Sequence, residues 1–246
     1  MPKGTVQSRV ENIRALGAEV TVEDLNYDGC VRLAAQQAEE TPGSVVVQDT
    51  AWPGYEQIPL HIMQGYLTMA LEAGEQLDAP PTHILLQAGV GSMAAAVAAY
   101  FAQAYPQNPP KIILVEPTAA DCFFRSAARG EIEAVRGEMR TMMAGLACGE
   151  PSPMAWDILK GLTSAYVACE DAVAARGMRA LARPLAADKA IISGESGAAT
   201  MGALLEVAGD EAARAALGLD ARARVLLIST EGDTDPVNYR RVMEGN

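Results

Sequence analysis

The stretch Ile84-Leu85-Leu86-Gln87-Ala88-Gly89-Val90-Gly91-Ser92-Met93 decides the fold. Its apolar triplet shows no alternation, which predicts a strand buried on both faces, as in a parallel sheet covered by helices. Two glycines end the strand, and the Ala-rich run up to Tyr105 predicts a helix. Strand, tight turn and helix follow one another within a few residues. Glycine lets a backbone approach a ligand closely, and the first turn of a helix offers unpaired N–H groups to an anion. The turn is not GxGxxG and no Walker lysine follows it, so it suits a small phosphorylated cofactor better than a nucleotide. On these residues alone, a plain strand-to-helix turn is an equal reading.

Working outward, the same rhythm recurs. Upstream, the pattern predicts a helix over 6–16, a short strand over 19–22, a helix over 27–40, a buried strand at Val45-Val46-Val47 and a helix over 58–77. Downstream it predicts a strand over 111–116, helices over 154–164, 169–182 and 197–209, and a strand over 225–228. The glycine-rich stretch 122–153 carries no clear period and suits site-lining loops. Alternating helices and strands of this kind specify an α/β fold with a parallel sheet and helices on both faces. Ligands in such sheets sit beyond the carboxyl ends of the strands. That rule selects the loops 48–52, 87–93, 116–125 and 229–235, all polar or glycine-rich.

Composition excludes several classes. The 246 residues carry 19 basic and 31 acidic side chains, a net charge of −12, which argues against nucleic acid as a partner. No apolar run reaches bilayer length, and no charged-then-apolar leader opens the chain. Cys30, Cys122, Cys148 and Cys169 form no CxxC pair and meet only His61 and His83, so no metal site is expected. Scattered free thiols suit a reducing cytoplasm. Cys122 and Cys148 both fall in site-facing loops, and spacing alone does not decide whether they pair. The histidines read as structural.

Asp49 ends a predicted strand beside Trp52, where burial would raise its pKa and fit it for work as a base; an Asp capping the next turn is the blander alternative. Ser193-Gly194-Glu195-Ser196-Gly197 and Ser229-Thr230-Glu231-Gly232-Asp233-Thr234-Asp235 each place hydroxyls and carboxylates on a turn after an apolar run. Both are also ordinary turn compositions, and Ser196 is a candidate helix cap.

Taken together these loops resemble the diaminopropionate ammonia-lyase family, pyridoxal-phosphate enzymes of fold type II with a tryptophan-synthase-β-like fold. The likeness runs from Met1-Pro2-Lys3-Gly4 and Leu16-Gly17-Ala18-Glu19, through Met63-Gln64-Gly65-Tyr66, to MAGLACGEP at 143–151, IISGESGA at 191–198 and ISTEGDTD at 228–235. The resemblance implies α,β-elimination of 2,3-diaminopropionate to pyruvate and ammonia, with pyridoxal 5'-phosphate as cofactor and a homodimeric assembly. It implies that Gly89, Val90, Gly91 and Ser92 hold the phosphate, that Glu195 lines the ring pocket, and that Ser229 or Thr230 faces the pyridine nitrogen. Asp49 would be the base for one substrate enantiomer. Residues 1–40 would be the second half of the small domain and 41–246 most of the large one.

One departure stands out. The family's internal-imine lysine, in an N-x-F-K setting, and its TDGNHG loop lie upstream of the position that is Met1 here. None of Lys3, Lys111, Lys160 and Lys189 has that setting. The expectation is a chain matching roughly the last three-fifths of such an enzyme, unable to form the resting imine by itself. Two other readings stay open: a non-catalytic remnant that binds phosphate or a partner, and a serine/threonine dehydratase, against which MAGLACGEP and STEGDTD count.

Overall fold

The computed structural model describes residues 1–245. Four parallel strands, β1 (His83–Gln87), β2 (Lys111–Pro117), β3 (Thr163–Cys169) and β4 (Val225–Leu227), form one sheet in the order β3-β2-β1-β4. β1 and β2 pair in continuous register from His83 with Lys111 to Gln87 with Val115. Their side chains feed two cores. Ile84, Leu86, Ile112 and Leu114 pack against α3 (Gln57–Gln76), α4 (Ser92–Ala104) and α6 (Pro153–Leu162). Leu85, Ile113 and Val115 pack on the other side against α7 (Asp171–Ala182) and α8 (Glu195–Gly209). Both faces are dry, which is why these strands read as unbroken apolar runs. Each fully buried Leu or Ile contributes about 2 kcal/mol of burial free energy.

Small residues let α7 and α8 cross closely. A Cβ on Gly202 would lie 2.0 Å from the Val173 carbonyl oxygen, and one on Gly177 would lie 2.2 Å from that of Ala198. Only glycine fits at either crossing point.

The predicted strands over 19–22 and 45–47 do not form. Val45 and Val47 are 69% and 73% exposed, and the nearest ladder-like contact to the first segment is a single Pro2–Glu23 bridge. Among the described residues neither run has a neighbouring strand, and an extended segment without one has no ladder for its N–H and C=O groups. Conversely, β3 follows α6 without a break, where the pattern predicted only the end of a helix. Thr163, Tyr166 and Val167 favour a strand, but no turn residue separates them from the helical pattern before them, and pairing with β2 decides the strand. Three helices also lay unassigned: α5 (Cys122–Arg129), α9 (Glu211–Leu217) and α10 (Pro236–Glu244). The last two begin at Asp210 and Asp235, whose carboxylates accept from Ala213 N and Asn238 N. Those N-cap signals were legible in the sequence. At the chain's start lie α1 (Gln7–Ala15) and α2 (Tyr27–Glu40). Among the described residues no helix is long and apolar enough to cross a membrane, and no group of three His, Cys, Asp or Glu side chains is placed to hold a metal.

Candidate active site

The carboxyl ends of β1, β2 and β4 bring the glycine turn, the start of α5 and the 228–235 loop together. Gln87, buried at the end of β1, donates from Nε2 to Ile228 O at 3.0 Å and to Thr230 Oγ1 at 2.9 Å. This clamps the end of β4 to the end of β1. Past Gln87 the chain turns through Gly91, whose φ of +90° belongs to the left-handed region. A Cβ there would also lie 2.3 Å from Phe123 Cζ, so the position requires glycine twice over.

The turn leaves its donors open. Among the described residues no backbone or side-chain oxygen accepts from the amides of Gly89, Gly91, Ser92 or Met93. Val90 N–H points at Cys148 Sγ, and Cys122 Sγ lies 3.9 Å from Gly89 O. Both cysteines are buried free thiols, and burial pushes their pKa values well up, which keeps them neutral.

The 49–52 segment lies over this turn. Ser92 Oγ donates to Asp49 O at 2.7 Å, Ala51 N donates to Ser152 Oγ at 3.2 Å, and Ser152 N donates to Val90 O at 2.9 Å. Asp49 is thus brought to the glycine turn although the strand expected to deliver it is absent. Burial raises its carboxyl pKa, opposed only by its own backbone amide. Tyr27 and Tyr66 stand close enough to feel its charge, and burial holds both phenols neutral.

Glu116, at the end of β2, is completely buried, and its two oxygens accept from Phe123 N and Phe124 N at 2.8 Å each. It seats the first turn of α5, which carries the Phe123 ring onto Gly91. Burial dominates over those two bonds and pushes the Glu116 pKa up to about 8.

The other predicted residues sit on the neighbouring wall. Glu195 opens α8, is nearly fully buried, and accepts from Asn238 Nδ2 at 2.6 Å. Ser229 Oγ donates to Ser193 Oγ at 2.8 Å, whereas Thr230 Oγ1 receives the Gln87 amide. Both residues are exposed, though these two hydrogen bonds are partly buried. Glu195 and Glu231 line an open cleft of about 2190 Å³ whose opposite side is built by residues of α1, α2 and the exposed Ser44–Gln48 run. Gln87, Tyr27 and Ser152 were not foreseen, because nothing in their local pattern distinguishes them from ordinary strand, helix and loop residues.

No lysine joins this assembly. Lys3 pairs with Asp24 on the surface, Lys160 with Asp157, and Lys189 is exposed in the 183–194 loop. Lys111 opens β2 at the far end of the sheet, where its Nζ donates to Leu217 O at 2.6 Å.

The profile of the pyridoxal-phosphate dependent enzymes matches residues 1–231. The chain belongs to that family. Within the pyridoxal-phosphate dependent enzymes it is similar to the diaminopropionate ammonia-lyase of Escherichia coli (strain K12), with 52% identity over 250 residues, covering 99% of this chain and 62% of that protein. The enzyme of the same name from Salmonella typhimurium (strain LT2) is 51% identical over 255 residues, with the same two coverages. The chain therefore spans about 62% of the length of the curated relatives it matches. The crystal structure of the holo Escherichia coli diaminopropionate ammonia lyase superposes with a TM-score of 0.93 at 50% identity, covering 100% of this chain and 63% of that one. Threonine deaminase isoform 2 from Solanum lycopersicum superposes at 0.76 with 21% identity over 99% of this chain and 64% of that one, which places both in one fold.

The residues present fit part of the family's cofactor. Four open amides at the start of α4, on a turn that requires glycine, suit a phosphate. Ser229 and Thr230, on the loop after β4, and Glu195, at the start of α8, are the polar side chains that would meet the ring. An amine for covalent attachment is not among these side chains.

Proposed function

We propose that this chain carries the phosphate- and ring-holding machinery of a diaminopropionate ammonia-lyase, an enzyme that converts 2,3-diaminopropionate to pyruvate and ammonia by α,β-elimination. Identity of 52% over 99% of the chain carries this reading. The threonine dehydratase relative reaches only 30% over half of the chain, which disfavours dehydration of hydroxy-amino acids. The proposed setting is the cytoplasm, the partner a second copy of the chain, and the substrate a small amino acid.

Pyridoxal 5'-phosphate, when bound, supplies an electron-poor ring that drains charge from the substrate's α-carbon and so acidifies the α-proton. The chain's own residues do the rest. Gly89, Val90, Gly91 and Ser92 form the phosphate turn, and its open amides at Gly89, Gly91 and Ser92 hold the phosphate with the dipole of α4 behind them. Ser229 or Thr230 meets the pyridine nitrogen, and Glu195 lines the ring pocket. Asp49 takes the α-proton: a carboxylate in an apolar surrounding is a stronger base than one in water. Its segment is tied to the phosphate turn by the Ser92–Asp49 hydrogen bond, so settling the phosphate also settles the base. Tyr27 and Tyr66, both neutral, add no charge beside it.

Because no lysine reaches the site, these 246 residues by themselves bind the cofactor without a covalent bond, and turnover requires an amine from outside them. The test is pyruvate release from diaminopropionate by the 246-residue chain, alone and mixed with the portion of the Escherichia coli enzyme outside the match. Borohydride reduction and peptide mass mapping accompany each arm. Pyruvate in the mixture only, with no lysine of this chain labelled, is expected. Pyruvate from the chain alone with one of its four lysines labelled overturns the external-amine proposal; a mixture inactive on diaminopropionate but active on serine or threonine overturns the substrate.

A further inference from the structure

Arg9 and Glu231 form a contact that the proposed chemistry leaves unused. Glu231 Oε1 accepts from Ser196 N at 2.6 Å and Gly197 N at 3.3 Å, so its carboxylate closes the N-terminus of α8. Its backbone carbonyl accepts from Gly194 N at 3.1 Å, and Ser229 Oγ, whose proton goes to Ser193 Oγ, lies 3.4 Å from it. Glu231 thus ties the 229–235 loop to the start of α8.

Arg9 reaches this point from α1, more than two hundred residues away in sequence. Its Nη2 lies 3.6 Å from Glu231 Oε2 and 3.7 Å from Glu195 Oε2, with side-chain exposures of 20% for Arg9, 17% for Glu231 and 3% for Glu195. Among the described residues no other cation lies within 4 Å of either carboxylate. The guanidinium is itself aimed: Nε and Nη2 donate to Thr234 Oγ1 at 3.3 and 3.0 Å, and Ser8 Oγ donates to Thr234 O at 3.1 Å. Thr234 Oγ1 in turn donates to Glu231 Oε2 at 3.3 Å. Two carboxylates this close and this dry repel each other unless a cation stands between them.

We infer that Arg9 is a positioning residue: by neutralising the Glu195–Glu231 pair it keeps Glu231 seated on the α8 amides and so holds the 229–235 loop against the start of α8. Arg9 touches neither the phosphate turn nor Asp49. Its influence is confined to the ring end of the site. The seating itself stands on the geometry alone, and only its consequence for the cofactor rests on the proposed function.

Amide hydrogen exchange of the intact chain tests the seating directly. Arg9→Met is expected to speed exchange at Ser196 and Gly197 at least tenfold while Leu86 and Val115 in the central strands stay protected. Arg9→Lys, which keeps the charge, is expected to restore most of the protection. In Arg9→Met/Glu231→Gln, exchange at the two amides should be no faster than in Glu231→Gln, since Arg9 acts through that carboxylate. Unchanged exchange in Arg9→Met, a uniform rise across the sheet, or additive effects in the double variant overturns the inference. The second readout is binding of 4'-deoxypyridoxine 5'-phosphate, which has no aldehyde and needs no lysine. Arg9→Met should weaken it at least fivefold and shift the ultraviolet band of the ring, leaving the phosphorus resonance of the bound probe in place. Loss of the phosphorus signature as well overturns the confinement to the ring end. A wild-type chain that ignores the probe yet shows the exchange pattern overturns the cofactor reading and leaves the seating intact.

Discussion

Ile84-Leu85-Leu86 and Val45-Val46-Val47 look alike as sequence and differ completely as structure. Each is an apolar triplet bounded by turn residues, and the valines have the higher β propensity. The first is the buried middle of a sheet, with β2 on one side and β4 on the other. The second is extended chain on the wall of an open cleft, with two of its three side chains mostly in water. Propensity describes a residue's fit to a sheet that is already there; the sheet comes from neighbours. Four substitutions, in decreasing order of effect, test how deep that difference runs.

The largest effect belongs to the turn that ends β1. Gly91→Ala puts a Cβ 2.3 Å from Phe123 Cζ on a residue with φ +90°. Left-handed strain and overpacking together should cost about 4 kcal/mol. Urea unfolding reads that loss, and binding of 4'-deoxypyridoxine 5'-phosphate should disappear with it. A loss under about 1 kcal/mol would mean that Phe123 swings away freely, and that the turn is not held by α5.

Next comes the strand itself. Leu86→Ala removes a fully buried side chain from the core shared with α3, α4 and α6, at an expected cost of about 3 kcal/mol. A much smaller value would place β1 in a core that collapses easily, and would erase most of its contrast with the 45–47 run.

Glu116→Gln sharpens the comparison differently, because its effect depends on pH. The folded pKa of Glu116 is raised to about 8 from its ordinary value of 4.5. Between those values the unfolded chain has released the proton and the folded one has not. Stability from this group is therefore fully present below pH 4.5, falls as pH rises through the window, and is flat above 8. The slope is at most about 1.4 kcal/mol per pH unit. Gln, which never ionises, should flatten the curve across that window when melting is followed from pH 5 to 8. An unchanged curve would show that the two α5 amides hold the carboxylate ionised after all.

Local pattern reached far into this molecule wherever a segment met its partners inside the described chain. β1, β2, β4, α3, α4, α7 and α8 all fall within a few residues of their predicted places, since burial on two faces leaves a plain apolar signature. Four loops chosen by the strand-end rule contain Asp49, the 89–92 turn and the 229–235 loop, and hydrogen bonds through Gln87 and Ser92 join them. Illegible were the residues whose role lies in tertiary contact: Arg9 on an exposed-looking helix, Ser152 at an ordinary helix start, Gln87 inside a strand. β3 failed from the opposite side, because no turn residue marks it off from α6 and its pairing with β2 decides its state. Glu195 and the Ser229–Thr230 pair are named by the family resemblance alone, since local spacing could not separate them from turn composition, and their roles remain part of the proposal.

The smallest effect is the one that tests the comparison most directly. Val47 is 73% exposed, so Val47→Ser removes little buried area and leaves no cavity. Stability of the 246-residue chain should move by less than about 0.5 kcal/mol, within the range of surface substitutions. The flanking contacts, Tyr55 Oη to Val46 O at 2.8 Å and Gln48 N to Tyr55 Oη at 3.0 Å, do not involve its side chain. A cost approaching that of Leu86→Ala would mean that the valine run is buried in solution by contact with another surface, such as a second copy of the chain. Sedimentation of wild type and variant would separate the cases: a dimer that dissociates on substitution locates the run at an interface, and an unchanged sedimentation coefficient with unchanged stability leaves Val47 as exposed as it stands here.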